Sequence, residues 1–149
     1  MTLLLARVEG LAQLWQTQPD ELLAALPWLR ATTSHMVALN DGVLRPGPKR
    51  CDSFTAAFVR PSDAVSCALD LQLSPLDPFV LSIGVHSAES DAARLRDIAQ
   101  AGQTLVADTT APWVGDRLPA GATLKPRQDG HFQLCHAGLP RQFQPLPAQ

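Results

Sequence analysis

The chain has 149 residues, 46% of them apolar and 17% charged, with a net charge of −2 and a pI near 6.0. This length fits one domain that buries a core without disulfides. The mild acidity excludes a basic footprint for nucleic acid or a membrane surface, and the apolar runs are too short to span a bilayer.

"TLLLARV" (2–8) reads as a buried strand that ends on a long cation, Arg7. "GLAQLWQTQ" reads as a short helix and "PDELLAALPWLRATTSHMVALNDG" as a longer one. Pro19, Asp20 and Glu21 suit the longer helix's first turn, and Gly42 suits its stop. Pro27 removes an amide and should kink or split that helix. "GVLRPGPKRCDSFTAAFV" predicts a hairpin, with strands at 43–45 and about 52–59 around a "PGPK" turn. Pro61, Ser62 and Asp63 start a helix carrying Ala64, Val65, Ala68, Leu69 and Leu71.

After the loop "SPLDP", residues 79–87, "FVLSIGVHS", predict a strong strand. Ser90-Asp91 would cap the helix "AARLRDIAQA", with Gly102 as its stop. "QTLVA" is a strand, and Asp108-Thr109-Thr110 leads into a short helix toward Trp113. "ATLKPRQDGHFQLC" supplies two short strands around a polar turn. The tail, "GLPRQFQPLPAQ", is Pro-rich and reads as a linker, which gives a domain at 1–137 and a tail at 138–149. Helices mixed with a hairpin predict an α+β fold, a mainly antiparallel sheet with helices packed on it.

Cys51, Cys67 and Cys135 are odd in number and form no C-x-x-C pair, so neither a disulfide framework nor a zinc site is expected. No basic segment precedes the first apolar run, so no secretory signal is expected and the location is read as cytoplasmic. In "HFQLCH" a strand would set His131 and Cys135 on one face roughly 13 Å apart, with His136 on the other face, too spread for one ion. Trp15, Trp28 and Trp113 read as core or interface anchors.

Taken in order, these stretches resemble the catalytic domain of class III adenylate and guanylate cyclases in a degenerate bacterial form. "LARVEGLAQLW" is similar to the family's opening F-T-D-I-E-G-S-T-x-L-W. "PKRCDSFTAAF" is similar to K-T-x-G-D-x-F-x-A-x-F, and "PSDAVSCAL" to P-x-D-A-V-x-A-A-L. "LSIGVHS", "SDAARL" and "GQTLVADTT" then resemble R-I-G-L-H-x-G, N-x-A-A-R-L and G-Q-x-L-V-S-x-x-T. The resemblance implies a ferredoxin-like class III cyclase fold. "CHAGLPRQFQPL" resembles the segment that follows such domains in large bacterial regulators, where an ATPase comes next, so a fused ATPase domain or another protein partner is expected.

The family's reaction is attack of a ribose hydroxyl on the α-phosphate of the same nucleotide, helped by two Mg²⁺ or Mn²⁺ ions held on aspartates. The resemblance sets one of those aspartates at Asp52 and the other at Arg7. A guanidinium has no lone pair for a metal, and at an effective dielectric of 20 two unit charges 4 Å apart repel by about 4 kcal/mol. The base-reading lysine falls on Pro48, with Lys49 turned to the other strand face, and the glycine before the aspartate falls on Cys51. The transition-state asparagine and arginine fall on Ser90 and Arg94. A family segment between the histidine strand and Ser90, which carries a base-reading residue and dimer surface, is reduced here to Ala88-Glu89.

The expectation is therefore a domain without catalysis, metal or cofactor, acting as a regulatory, sensor or interaction module in bacterial signal transduction. It would be a monomer or weak dimer. Two alternatives stand beside it: a weak purine nucleotide cyclase using Asp52 and Arg94 with Mg²⁺ or Mn²⁺, and a module that binds nucleotide without turnover. Arg7 and Asp52 are expected to form an ion pair in place of the metal.

Overall fold

A computed structural model describes residues 1–45, 53–76, 79–114 and 117–139. The elements are β1 (Thr2–Val8), α1 (Leu11–Thr17), α2 (Pro19–Leu39), β2 (Val43–Arg45), β3 (Ser53–Phe58), α3 (Pro61–Leu73), β4 (Leu81–His86), α4 (Glu89–Ile98), β5 (Thr104–Val106), α5 (Ala111–Val114), β6 (Thr123–Pro126) and β7 (Phe132–Cys135). They form one seven-stranded sheet in the order β2-β3-β1-β4-β5-β7-β6. β4 and β5 pair parallel and the other neighbours pair antiparallel. This is the expected α+β arrangement and the expected element order.

β1 explains the layers. It is central, so both faces are covered and its apolar run is continuous. Leu4, Ala6 and Val8 point into the main core with Ile83, Val85 and Phe58 of the sheet, Leu22, Leu29 and Val37 of α2, and Val65, Leu69 and Leu71 of α3. Leu3 and Leu5 point the other way, onto Ala57 and onto Ala92 of α4. Thus α2 and α3 cover one face and α4 covers the other. α4 lies so close to β4 that a Cβ on Gly84 would stand 2.5 Å from the Arg96 nitrogen and 2.8 Å from the Leu95 Cβ. Only glycine fits that approach.

Several boundaries depart from expectation. Pro27 does not split α2, which runs from Pro19 to Leu39. The carbonyl that loses its donor there belongs to Leu23, a residue 57% exposed, where water can serve it. β4 spans 81–86 rather than 79–87. α4 begins at Glu89 with Ala88 as its N-cap, not at the Ser90-Asp91 pair, and it ends at Ile98 ahead of Gly102. Gly10 adopts the left-handed conformation that turns β1 into α1. None of the three tryptophans is a core residue: Trp15, Trp28 and Trp113 are 41%, 53% and 76% exposed. Trp28 Nε1 donates to the Pro75 carbonyl across the α2–α3 edge. Beyond β7, Leu139 packs on the main core, and the rest of the tail lies outside the described residues.

Replacing Gly84 by alanine should therefore lift α4 from the sheet. We expect a loss of about 1–3 kcal/mol, read as a lower urea midpoint with an unchanged slope.

Candidate functional site

The site is built where β1 ends. Alternation sets Leu3, Leu5 and Arg7 on the α4 face of the sheet. The register aligns Arg7 with Ser53 on β3 and with Ser82 on β4. Small hydroxyl side chains on both flanks leave room for a guanidinium on that row. Glu9 continues the alternation by two residues, and its amide donates to the Val80 carbonyl at 2.8 Å, which extends the β1–β4 ladder past the strand end. Its carboxylate is thereby brought to the Arg7 side.

Among the described residues, Arg7 is gripped from the turn after β1 and from α4. Its Nη2 donates to Glu9 Oε1 at 2.8 Å, and its Nη1 to Asp97 Oδ1 of α4 at 3.4 Å. Arg96 Nε donates to the same Asp97 oxygen at 3.0 Å. The fully buried Ser82 hydroxyl donates to Glu9 Oε1, with the Gln100 carbonyl 3.3 Å away as a second acceptor. Burial alone would raise the Glu9 pKa. The Ser82 hydrogen bond and the Arg7 charge outweigh it and hold the carboxyl below its usual range. The result is a chain of charge and hydroxyl, Asp97–Arg7–Glu9–Ser82, that ties β1, β4 and α4 together.

The expected partner Asp52 lies outside the described residues, as do Pro48, Lys49 and Cys51. The two carboxylates that hold Arg7 among the described residues, Glu9 and Asp97, were not anticipated. Glu9 was legible from period-two alternation; Asp97, 90 positions away on another element, was not. Ser90 is the second residue of α4, and Arg94 is exposed one turn further along it. The described contacts do not bring Arg94 to the Arg7 cluster.

At the other end of α4, His86 closes β4. Its Nδ1 accepts from the Ala88 amide at 2.7 Å. The ring proton therefore sits on Nε2, which faces Asp91 Oδ2 at 3.6 Å and Thr109 Oγ1 at 3.4 Å. Only Ser87 and Ala88 separate β4 from α4. The histidines of "HFQLCH" go to separate neighbours: His131 faces Asp108, and His136 faces the Ala120 carbonyl. No group of three His, Cys, Asp or Glu side chains suited to a metal occurs among the described residues. Cys67 is buried with its thiol pushed up to about 12, first by burial and then by Asp70, so it is unreactive.

Arg7→Ala should cost about 1–3 kcal/mol at neutral pH, between the ranges for exposed and buried pairs, because it leaves the Glu9 carboxylate half-buried without its cation. The folded pKa of Glu9 is depressed, so its stabilisation is complete above the ordinary glutamate value of about 4.3 and is lost as pH falls through the lower folded value. Urea melts across the acid range should show that loss in the native protein and a smaller one in Glu9→Gln.

No protein-family model matches the chain. The "Uncharacterized protein Rv0891c" of Mycobacterium tuberculosis is 38% identical over 169 residues, covering 98% of this chain and 59% of its own length. The "Uncharacterized protein Rv1359" of the same species is 37% identical over 174 residues, covering 98% of this chain and 69% of its own. The chain thus spans about three-fifths to two-thirds of the length of these curated relatives. Both alignments are longer than the chain's 149 residues, so the relatives carry insertions relative to it.

Among solved structures, adenylate cyclases from Trypanosoma brucei in their monomeric state superpose with a TM-score of 0.71 at 17% identity, covering 94% of this chain and 90% of theirs. The guanylate cyclase domain of RhGC from Catenaria anguillulae, in complex with GTP, gives a TM-score of 0.70 at 12% identity, covering 89% and 92%. A dimeric guanylyl cyclase domain of RhoGC from Blastocladiella emersonii gives 0.70 at 9% identity, covering 89% and 91%. A strand-end arginine clasped by Glu9 and Asp97, set in this sheet order, is thus carried on a known architecture: the chain belongs to the family of the mycobacterial protein Rv1359, and its fold is that of the class III adenylate and guanylate cyclase catalytic domain.

Proposed function

We propose that this is a cyclase-like domain that has given up nucleotide cyclisation and serves as a regulatory or interaction module in bacterial signalling. The observation that carries the reading is the engagement of Arg7. At the strand end where the resemblance puts a metal-binding aspartate, a guanidinium is held at 2.8 Å from Glu9 and 3.4 Å from Asp97. It adds positive charge where divalent ions would have to sit, and two nearby carboxylates are already committed to it. Ser90 in place of an asparagine and Pro48 in place of the base-reading lysine support the same reading.

Under this reading Asp52, Ser90 and Arg94 are vestigial positions, and no Mg²⁺ or Mn²⁺ is required. A cyclase assay with ATP and with GTP in Mn²⁺ should give no cyclic nucleotide above the buffer control. Product well above that control, lost in Asp52→Ala, would overturn the proposal and make the domain a weak purine nucleotide cyclase.

A second reading, nucleotide held without turnover, is supported by the likeness to a domain solved with GTP. Calorimetry with ATP and GTP separates the two. The partner is proposed to be protein, either a fused ATPase domain or a separate chain, in a cytoplasmic setting. No helix among the described residues is long and apolar enough to cross a membrane.

The two-residue β4–α4 link removes a segment that the family uses in pairing, so sedimentation should find a monomer or weak dimer. A tight dimer with Asp52 of one copy facing Arg94 of the other would contradict this.

A further inference from the structure

We propose that His86 is a proton-sensitive pin that fastens the start of α4 to the end of β4, and that protonating it releases that end of the helix. The device stands on geometry and is independent of whether the domain binds a nucleotide.

The N-cap residue of α4 is Ala88, which offers no side-chain cap. The amide of its N-cap residue, Ala88, is instead satisfied by the His86 Nδ1 lone pair at 2.7 Å. That bond exists only while the ring is neutral. A proton on Nδ1 would set two N–H groups against each other, next to a helix start that already disfavours positive charge. The His86 side chain is only 14% exposed, so charging it in place also costs solvation. The opposing force is Asp91 of α4, 3.6 Å from Nε2 and itself 45% exposed. Thr109, on the turn before α5, is the remaining polar contact of the ring.

The other titratable groups on that turn are Asp108 and its partner His131, which face each other and not His86. The β1 residue opposite His86 is Leu3, which brings no charge. Nε2–H faces Asp91 in both charge states, so protonation keeps that contact while it removes the Nδ1 acceptor that holds Ala88.

The link has no slack. Ser87 and Ala88 alone join strand to helix, so loss of the Ala88 bond moves the first turn of α4, the turn that holds Ser90 and precedes Arg94. The far end of α4 is held separately by Asp97 on Arg7, and its middle by close packing on Gly84. Release is therefore confined to the N-terminal turn.

Nuclear magnetic resonance on the full chain tests this. As pH falls from about 8 to about 5, the Ala88 amide signal should move with the same midpoint as the His86 ring, and its exchange protection factor should drop about tenfold. His86→Gln can still accept from Ala88 and should abolish both changes. Asp91→Asn removes the charge that favours the imidazolium and should move the midpoint to lower pH, which keeps the test available if His86→Gln folds poorly. An Ala88 amide that ignores the ring titration, a ring that does not titrate in this range, or a pH response that survives in His86→Gln would overturn the proposal.

Discussion

A guanidinium held by Glu9 of the turn after β1 and by Asp97 of α4 ties the end of the central strand to the helix that covers it. Arg7 sits on the same strand face as Leu3 and Leu5, so the ion cluster continues an apolar row instead of standing apart from it. Ala92 covers the apolar part of that row and Asp97 covers its charged end. One helix thus uses hydrophobic burial at one point and charge pairing at another, about a turn and a half further along. The two are complementary, because dispersion and burial are non-directional while the ion pair fixes register.

The cluster also accounts for the polar residues around it. Ser82 is fully buried in a strand that is otherwise apolar at nearly every position. A buried hydroxyl is costly unless bonded, and here it is bonded to the carboxylate that pairs with Arg7. Glu9 has one foot in this network and one in the backbone ladder through Val80. Gly10, directly after it, can turn the chain into α1 because it accepts a positive φ of 65°. The short stretch from Arg7 to Gly10 therefore sets a charge cluster, closes a strand pair and starts a helix.

Among the described residues, this chain gathers two carboxylates, Glu9 and Asp97, around its own cation. The negative charge of those carboxylates is offset from within the polypeptide. A fold does not carry an activity by itself. α4 is held by this cluster near its C-terminal end, by a glycine contact in its middle and by an imidazole at its start.

Much of this was legible in the sequence. Strand runs, caps and turn residues sufficed for the order of the twelve elements and for the α+β class, because those signals are local. Arg7 as a long cation at the end of the first strand was legible too, because it follows directly on the apolar run. What the sequence left open were contacts between distant elements. Asp97 meets Arg7 only because α4 folds back across β1, which close approach at Gly84 permits. The start of α4 at Glu89 also escaped local reading. Ser90 and Asp91 carry an N-cap signature, but the helix starts earlier because the His86 ring, held at the end of β4, already supplies the acceptor that Ala88 needs. Local propensity determined which segments form helices and strands; side chains reaching across the sheet decided where the charges meet, since those distances exist only after the layers have packed.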